Sequence, residues 1–229
     1  MNPISNVIKM HLRDKTMWFF VPWFILFSSF LINLFIGYFF GGKEPIYTGG
    51  IASIYIYMFI VGTIILTHTF PFALGFSIRR TDYFLGTSGM AVAVSAVTAI
   101  LFYLLSIAER LTGDWGVNLH FFHLPYLNDG SAIQQLGVYF ILMLHMYFLG
   151  FAISSIHRRF GRYGMFAFFI AVILVLSVVG YMCTYYHWWG DIFGWLVHHS
   201  AAQIALWMVP LILVYMLVSY LMLRKATVR

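Results

Sequence analysis

The residues of this 229-residue sequence best suited to chemistry at neutral pH are its nine histidines. His120, His123, His187, His198 and His199 stand in two connections between apolar stretches, and neutral imidazole is a common ligand for transition metals. No carboxylate or cysteine accompanies them at a recognisable ligand spacing, so no metal site is assigned. Cys183 is the sole cysteine, which excludes an intramolecular disulfide and a CxxC site. His68 and His145 lie near or within apolar stretches, where a pair of imidazoles would suit axial haem ligation, although a lone polar residue at a helix interface is the commoner use. A histidine-dependent membrane haem or metal redox protein therefore stays open as an alternative. Residues Gly37 to Lys43 match GxxxxGK, but Glu44 stands where a phosphate loop needs Ser or Thr, and an apolar helix precedes it where a strand should. The chain is thus not expected to bind ATP itself. No HExxH, GxSxG or dinucleotide fingerprint occurs.

The elements that must carry these residues are set by composition. Hydrophobic residues make up 62% of the chain and charged ones 9%, and the mean hydropathy is +0.88; lipid must solvate most of it. Apolar stretches cover residues 18–40, 51–72, 84–108, 133–156, 163–186 and 201–223, and none carries Asp, Glu, Lys or Arg before its last residues. Each exceeds the ~20 residues a helix needs to cross the hydrocarbon. The expected fold is an all-α integral membrane protein, one transmembrane domain over residues 1–229 with six transmembrane helices. Lys9, Arg13, Lys15, Arg79, Arg80, Arg158, Arg159, Arg162, Arg224, Lys225 and Arg229 fall on one side of that arrangement, leaving Lys43 and Arg110 on the other. The positive-inside rule then puts both termini in the cytoplasm and accounts for the net charge of +6 without nucleic acid. The first apolar stretch lacks the short core and cleavage site of a signal peptide and is expected to be retained.

Before the first span, Ile4, Val7, Ile8, His11 and Leu12 recur at helical spacing opposite Asn6, Lys9, Arg13 and Asp14, with Asn2 and Pro3 suited to the N-cap and first helical position. The pattern predicts an amphipathic helix over residues 2–16, lying on the membrane surface; a flexible leader is the plainer reading. Between spans two and three, Pro71 and Gly75 should interrupt the preceding helix, and Ser77 and Thr81 can each cap a new short one. Arg79, Arg80 and Asp82 would then flank an apolar wedge of Phe76, Ile78, Tyr83 and Phe84, suited to a groove on a soluble partner; a turn with basic anchors is the alternative. Gly89 with Ala93, and Ala91 with Ser95 and Ala99, form small-residue ridges that bury span three. No span holds a central charge. Asn33, Thr63, Thr67, Ser95, Thr98 and His145 could line a weakly polar translocation path, or simply bond their own helix backbones.

The stretch FPFALGFSIRRTDYFLGT (residues 70–87), the amphipathic leader and six spans with both ends inside together resemble the permease subunits of ATP-binding-cassette exporters of the six-helix, type V kind. The resemblance implies that residues 2–16 are the connecting helix. It also implies that Phe76, Ser77, Ile78, Arg79, Arg80, Thr81, Asp82 and Tyr83 are the coupling element to a separate cytoplasmic nucleotide-binding ATPase subunit, which holds ATP and Mg. A second permease copy or paralogue, a bacterial cell membrane, and short re-entrant helices within residues 187–200 are further implications; tryptophan anchoring at the headgroups explains the last segment as simply. The cargo expected is hydrophobic or amphipathic: a peptide, an antibiotic or a lipid. A non-transporting peptide immunity or sensor protein is the remaining alternative.

Overall fold

The computed structural model describes residues 2–40, 44–128 and 130–226. Gly41, Gly42 and Lys43 of the GxxxxGK stretch, and Arg229 of the basic pattern, lie outside the described residues. The chain is an all-α membrane protein with five helices long and apolar enough to cross a bilayer. Helix α1 (Pro3–Arg13) precedes a π-helical turn, Thr16–Phe20, that runs into α2 (Val21–Phe40). Then come β1 (Ile46–Tyr47), α3 (Ala52–Gly75), α4 (Arg80–Leu111), β2 (Leu119–His120), α5 (Pro125–Asn128), α6 (Ala132–Tyr185), α7 (Trp189–His198) and α8 (Ala201–Arg224). The two short strands pair in parallel, Ile46 against Leu119 and Tyr47 against His120.

Helix α6 holds both the fourth and fifth apolar stretches. Its 54 residues leave helical geometry at Gly161, where φ is 69° and ψ −168°, a conformation that glycine alone adopts without strain. The half before this residue runs parallel to α8, because the His145 ring lies 5.5 Å from Tyr215 and Arg159 Nη1 3.6 Å from Met222 Sδ. Two helices can be parallel in one bundle only if the chain between them returns, so residues 162–185 run back along it. The expected connection of residues 157–162 is thereby reduced to a one-residue reversal.

Lipid offers no hydrophobic force to join helices, so close backbone approach has to do so. The most extensive helix pair is α3 with α6, and its centre is a reciprocal glycine contact. A Cβ on Gly62 would collide with the Tyr147 carbonyl oxygen, and one on Gly150 with that of Phe59. Helix α8 packs on α6 as well and buries Ala205, Ile212 and Ser219, spaced seven apart, the period of a coiled-coil seam. Helix α4 is the most buried span, with Ala91, Ser95 and Ala99 inside, as their spacing predicts. The small residues at its start have a different use: α1 lies across them, with Val7 Cβ 2.6 Å from a Cβ built on Gly86 and Ile8 Cδ1 3.8 Å from one on Gly89. The basic clusters gather at this end of the bundle, where Arg80 Nη1 donates to the Arg224 carbonyl at 3.0 Å and the Arg158 guanidinium lies 5.5 Å from the Phe70 ring centre.

Gly62→Val and Gly150→Val are expected to destabilise the protein by roughly 1–3 kcal/mol each through overpacking. Gly180→Ala, whose added Cβ meets nothing within 4 Å, should leave thermal unfolding in detergent unchanged.

Candidate functional site

The sequence-derived site residues divide into three places. At the basic end, α1 begins as its sequence predicts: Asn2 Oδ1 accepts from the Ile4 amide at 3.1 Å and Pro3 opens the helix. Val7 and His11 are buried, Ile4 and Ile8 half-buried, and Leu12 stays 52% exposed, so only part of the apolar face packs on α4. His11 Nε2 and Thr87 Oγ1 are 2.9 Å apart, and the ring packs edge-on to Trp18 at 5.6 Å. Burial pushes the His11 imidazole down to about 4, against a smaller upward pull from Asp14. This ring is a packing element, neutral at pH 7.

The connection from α3 to α4 contains no separate helix. Pro71 lies inside α3, which continues to Gly75; a proline at that depth is tolerated where neighbouring helices support the turn it weakens. Four residues, Phe76 to Arg79, then make the turn, Ser77 takes φ 58°, and α4 starts at Arg80. Neither Ser77 nor Thr81 caps it, since Arg79 occupies the N-cap without a side-chain bond. The expected wedge is divided by burial. Phe76 is 67% exposed and Ile78 half-buried, but Tyr83 and Phe84 are core residues. The Tyr83 hydroxyl lies 2.7 Å from Thr69 Oγ1 and its ring packs on Phe70, which locks the start of α4 to the end of α3. Pro3, Asn6, Phe76, Ser77, Ile78, Arg79 and Asp82 line one open groove of about 530 Å³. Lys9, Arg13 and Phe72 extend the same surface. Arg80 and Thr81 stand half-buried beside it.

The candidate path residues are not drawn together by hydrogen bonding. Asn33 Nδ2 donates to the Ser29 carbonyl at 2.8 Å and Thr63 Oγ1 to that of Ile60 at 2.7 Å, each within its own helix. Ser95 and Thr98 are buried in α4. Among the described residues, Ser95 Oγ and His145 Nδ1 are buried without a partner, while Thr67 is exposed on α3.

At the opposite end, the histidine-bearing connection is built around a residue whose role sequence reading missed. Glu109 stands in the last turn of α4, fully buried. Its carboxylate accepts from the amides of Phe121 (3.2 Å), Phe122 (2.8 Å) and His123 (3.0 Å) and from Trp115 Nε1 (3.0 Å). The amide bonds tie residues 121–123 to the end of α4, and the indole bond ties in a turn in which Gly113, Asp114, Trp115 and Gly116 all have positive φ, a conformation costing about 1–2 kcal/mol per non-glycine residue. Ser106 Oγ accepts from Asn128 Nδ2 at 2.7 Å, and the Tyr139 hydroxyl donates to Asn128 Oδ1 at 2.9 Å. His123 Nδ1 is 3.3 Å from Ser106 Oγ, and burial is the first cause holding its imidazole below the usual range, the Arg110 charge the second.

Glu109, Asp114 and His120 bring ligand atoms within 4.8 Å of one another, the geometry of a candidate cation site. The donor set argues against that use. Both Glu109 oxygens already accept from amides or indole, which leaves them little capacity to coordinate a cation, although His120 Nδ1, 3.5 Å from Asp114 Oδ1, is buried without a hydrogen-bond partner among the described residues. The ring also stacks on Tyr47 at 4.8 Å. The distal histidines lie apart from this cluster: His198 ends α7, and His199 Nδ1 faces the Trp195 carbonyl at 2.7 Å.

Comparison of the chain with protein-family models, with curated proteins and with solved structures finds no match.

Glu109→Ala strands four donors, the Phe121 and Phe122 amides fully buried and the other two partly so, and is expected to cost about 3 kcal/mol or more, read as earlier thermal unfolding and faster hydrogen exchange across residues 113–128. The His11 shift carries a definite sign. Unfolded imidazole titrates near 6.5 and the folded ring at about 4, so between those values the unfolded form binds more protons and acid favours release of α1. Going from pH 7 to pH 5 should weaken its docking by about 2 kcal/mol. Amide exchange in residues 3–13, corrected for intrinsic rates, should rise in the wild type and stay level in His11→Gln.

Proposed function

We propose that this chain is the membrane-spanning subunit of an ATP-driven exporter, working with a cytoplasmic ATPase subunit and a second copy or paralogue of itself. In this reading it crosses a bacterial cell membrane six times, α6 crossing twice about Gly161, and both termini face the cytoplasm. The reading rests on one observation: α1 and the α3–α4 turn, far apart in sequence, make a single groove at the basic end, with the Phe76 ring offered to water at its edge. An exposed aromatic residue beside Arg79, Lys9 and Arg13 has the character of an interface anchor.

Movement of that groove would be carried as one body. The Tyr83–Thr69 contact joins the turn to both of its helices, and His11 with Thr87 joins α1 to α4. Helix α4 then runs unbroken for 32 residues, about 48 Å at 1.5 Å per residue, and carries at its far end Glu109, which holds the opposite cap. A push from a partner at Phe76 would thus tilt a rod that carries the far end with it, the hinge-and-shear type of transition by which packed helices open a path. The apolar surface of the bundle suits a hydrophobic or amphipathic cargo such as a peptide, an antibiotic or a lipid.

The paired change Phe76→Asp and Arg79→Glu alters only groove residues. Copurification of the ATPase subunit and ATP-dependent efflux should both fall at least tenfold, while membrane insertion and thermal unfolding stay as in the wild type. Unchanged efflux in folded double variant would end the coupling assignment. Tyr83→Phe is expected to act differently, lowering stability by about 1 kcal/mol through the lost hydroxyl bond.

A further inference from the structure

A second recess at the basic end belongs neither to the groove nor to the opposite cap. Leu66 and Thr67 of α3 and Ser154, His157, Arg158, Arg159 and Phe160 of α6 line it, next to the Gly161 reversal, and it measures about 480 Å³. Arg158 is its unusual member. Its Nε and Nη2 atoms are buried and make no hydrogen bond among the described residues, and no carboxylate among those residues forms an ion pair with an arginine. Its neighbour is the Phe70 ring, 5.5 Å from the guanidinium carbon. A ring face offsets some of the desolvation of a cation but accepts none of its in-plane donors. A full charge with two unanswered donor nitrogens is thus buried in the wall of the recess, where a ligand engages them through a change of the Arg158 rotamer. Arg159 adds a second charge, with the Phe160 ring at 5.0 Å and Met222 Sδ at 3.6 Å beside it.

The recess opens onto an apolar track. Ile56, Ile60 and Ile64 are exposed on α3 and followed by exposed Thr67, a spacing of four, four and three that forms one stripe along the helix. The stripe leads from the recess toward the bilayer interior, and Phe160, 54% exposed, borders the mouth. We infer that this recess binds the phosphodiester headgroup of an anionic glycerophospholipid, with Arg158 and Arg159 on the phosphate, Ser154 and Thr67 as hydroxyl partners, and an acyl chain along Ile64, Ile60 and Ile56. Basic pockets between membrane helices are suited to such headgroups, and planar guanidinium fits phosphate oxygens in a bidentate manner. The inference does not depend on the exporter reading.

The test uses the full-length chain, purified in mild detergent and delipidated. Phosphatidylglycerol, phosphatidylcholine of matched chains, and inorganic phosphate are each titrated, with thermal unfolding and native mass spectrometry as readouts. Phosphatidylglycerol should raise the unfolding temperature and give a one-lipid adduct, and phosphatidylcholine should do neither. Arg158→Gln and Arg159→Gln should each weaken phosphatidylglycerol binding roughly tenfold or more, whereas Arg162→Gln, outside the recess, should bind as the wild type does. If Arg158→Gln does not fold, Arg159→Gln together with Ile60→Ser carries the same comparison. Equal binding of both lipids, or full binding by the folded variants, overturns the site. Stabilisation by inorganic phosphate that phosphatidylglycerol fails to exceed overturns the lipid assignment in favour of a soluble phosphorylated ligand.

Discussion

The contact on which this architecture depends is the crossing of α3 and α6 at Gly62 and Gly150. In lipid, two apolar helices gain nothing by leaving the solvent, so their association rests on dispersion and on polar contacts. The absence of a Cβ on either side of the crossing lets each backbone touch the other, Gly62 against the Tyr147 carbonyl and Gly150 against that of Phe59. That approach brings α6 close enough for Tyr147 and Phe151 to enter the core and puts Arg158 over Phe70. It also presents α6 to α8, whose stripe of Ala205, Ile212 and Ser219 is buried. A larger residue at either glycine would separate the helices that define both the basic recess and the bundle.

Helix α4 solves a second problem, that of linking the ends of a bundle whose middle is apolar. Its polar contacts are concentrated at its extremities: Tyr83 and Thr87 near the start, Ser106 and Glu109 near the finish. A buried carboxylate is tolerated at Glu109 because several N–H donors replace its water. One of those donors, the Trp115 indole, comes from the left-handed turn of residues 113–116, and the amides of Phe121, Phe122 and His123 follow it, so the one carboxylate ties the strained turn and the segment after it to the end of α4.

Much of this is legible in the sequence. Stretch lengths and the absence of charge give the helices, and Ile4, Val7, Ile8 and His11 give the inward face of α1, because a 3.6-residue period needs no knowledge of the partner. What escapes is everything set by a partner. Gly89 reads as a ridge for another span, yet the neighbour it meets is Ile8 of α1. Tyr83 reads as part of an exposed wedge, but its hydroxyl finds Thr69 and its ring Phe70, which are neighbours only after α3 and α4 close. The Gly62 and Gly150 pair lies in two different apolar stretches, and no spacing rule joins residues 88 positions apart. Two further signals are local: Ser131 with Gln134 and Ser200 with Gln203 form capping boxes that mark the starts of α6 and α8 by sequence alone.

Burial is also distributed unevenly, and that bears on how the bundle is completed. Of residues 162–185 only Cys183 is buried, and α7 has none. The half of α6 before Gly161, by contrast, supplies much of the core. A returning helix so weakly packed within its own chain must take its dispersion contacts from lipid or from another protein surface. Ile170, Ile173, Leu174 and Val178 are all exposed there, and helices facing only lipid need no particular surface, whereas a second copy needs a complementary one. Gly180, with open space where a side chain would stand, leaves a shallow notch in that row where another helix can come close. The physical asymmetry of the two halves of α6 therefore places the core on one side of the Gly161 reversal and the surface available for lipid or assembly on the other.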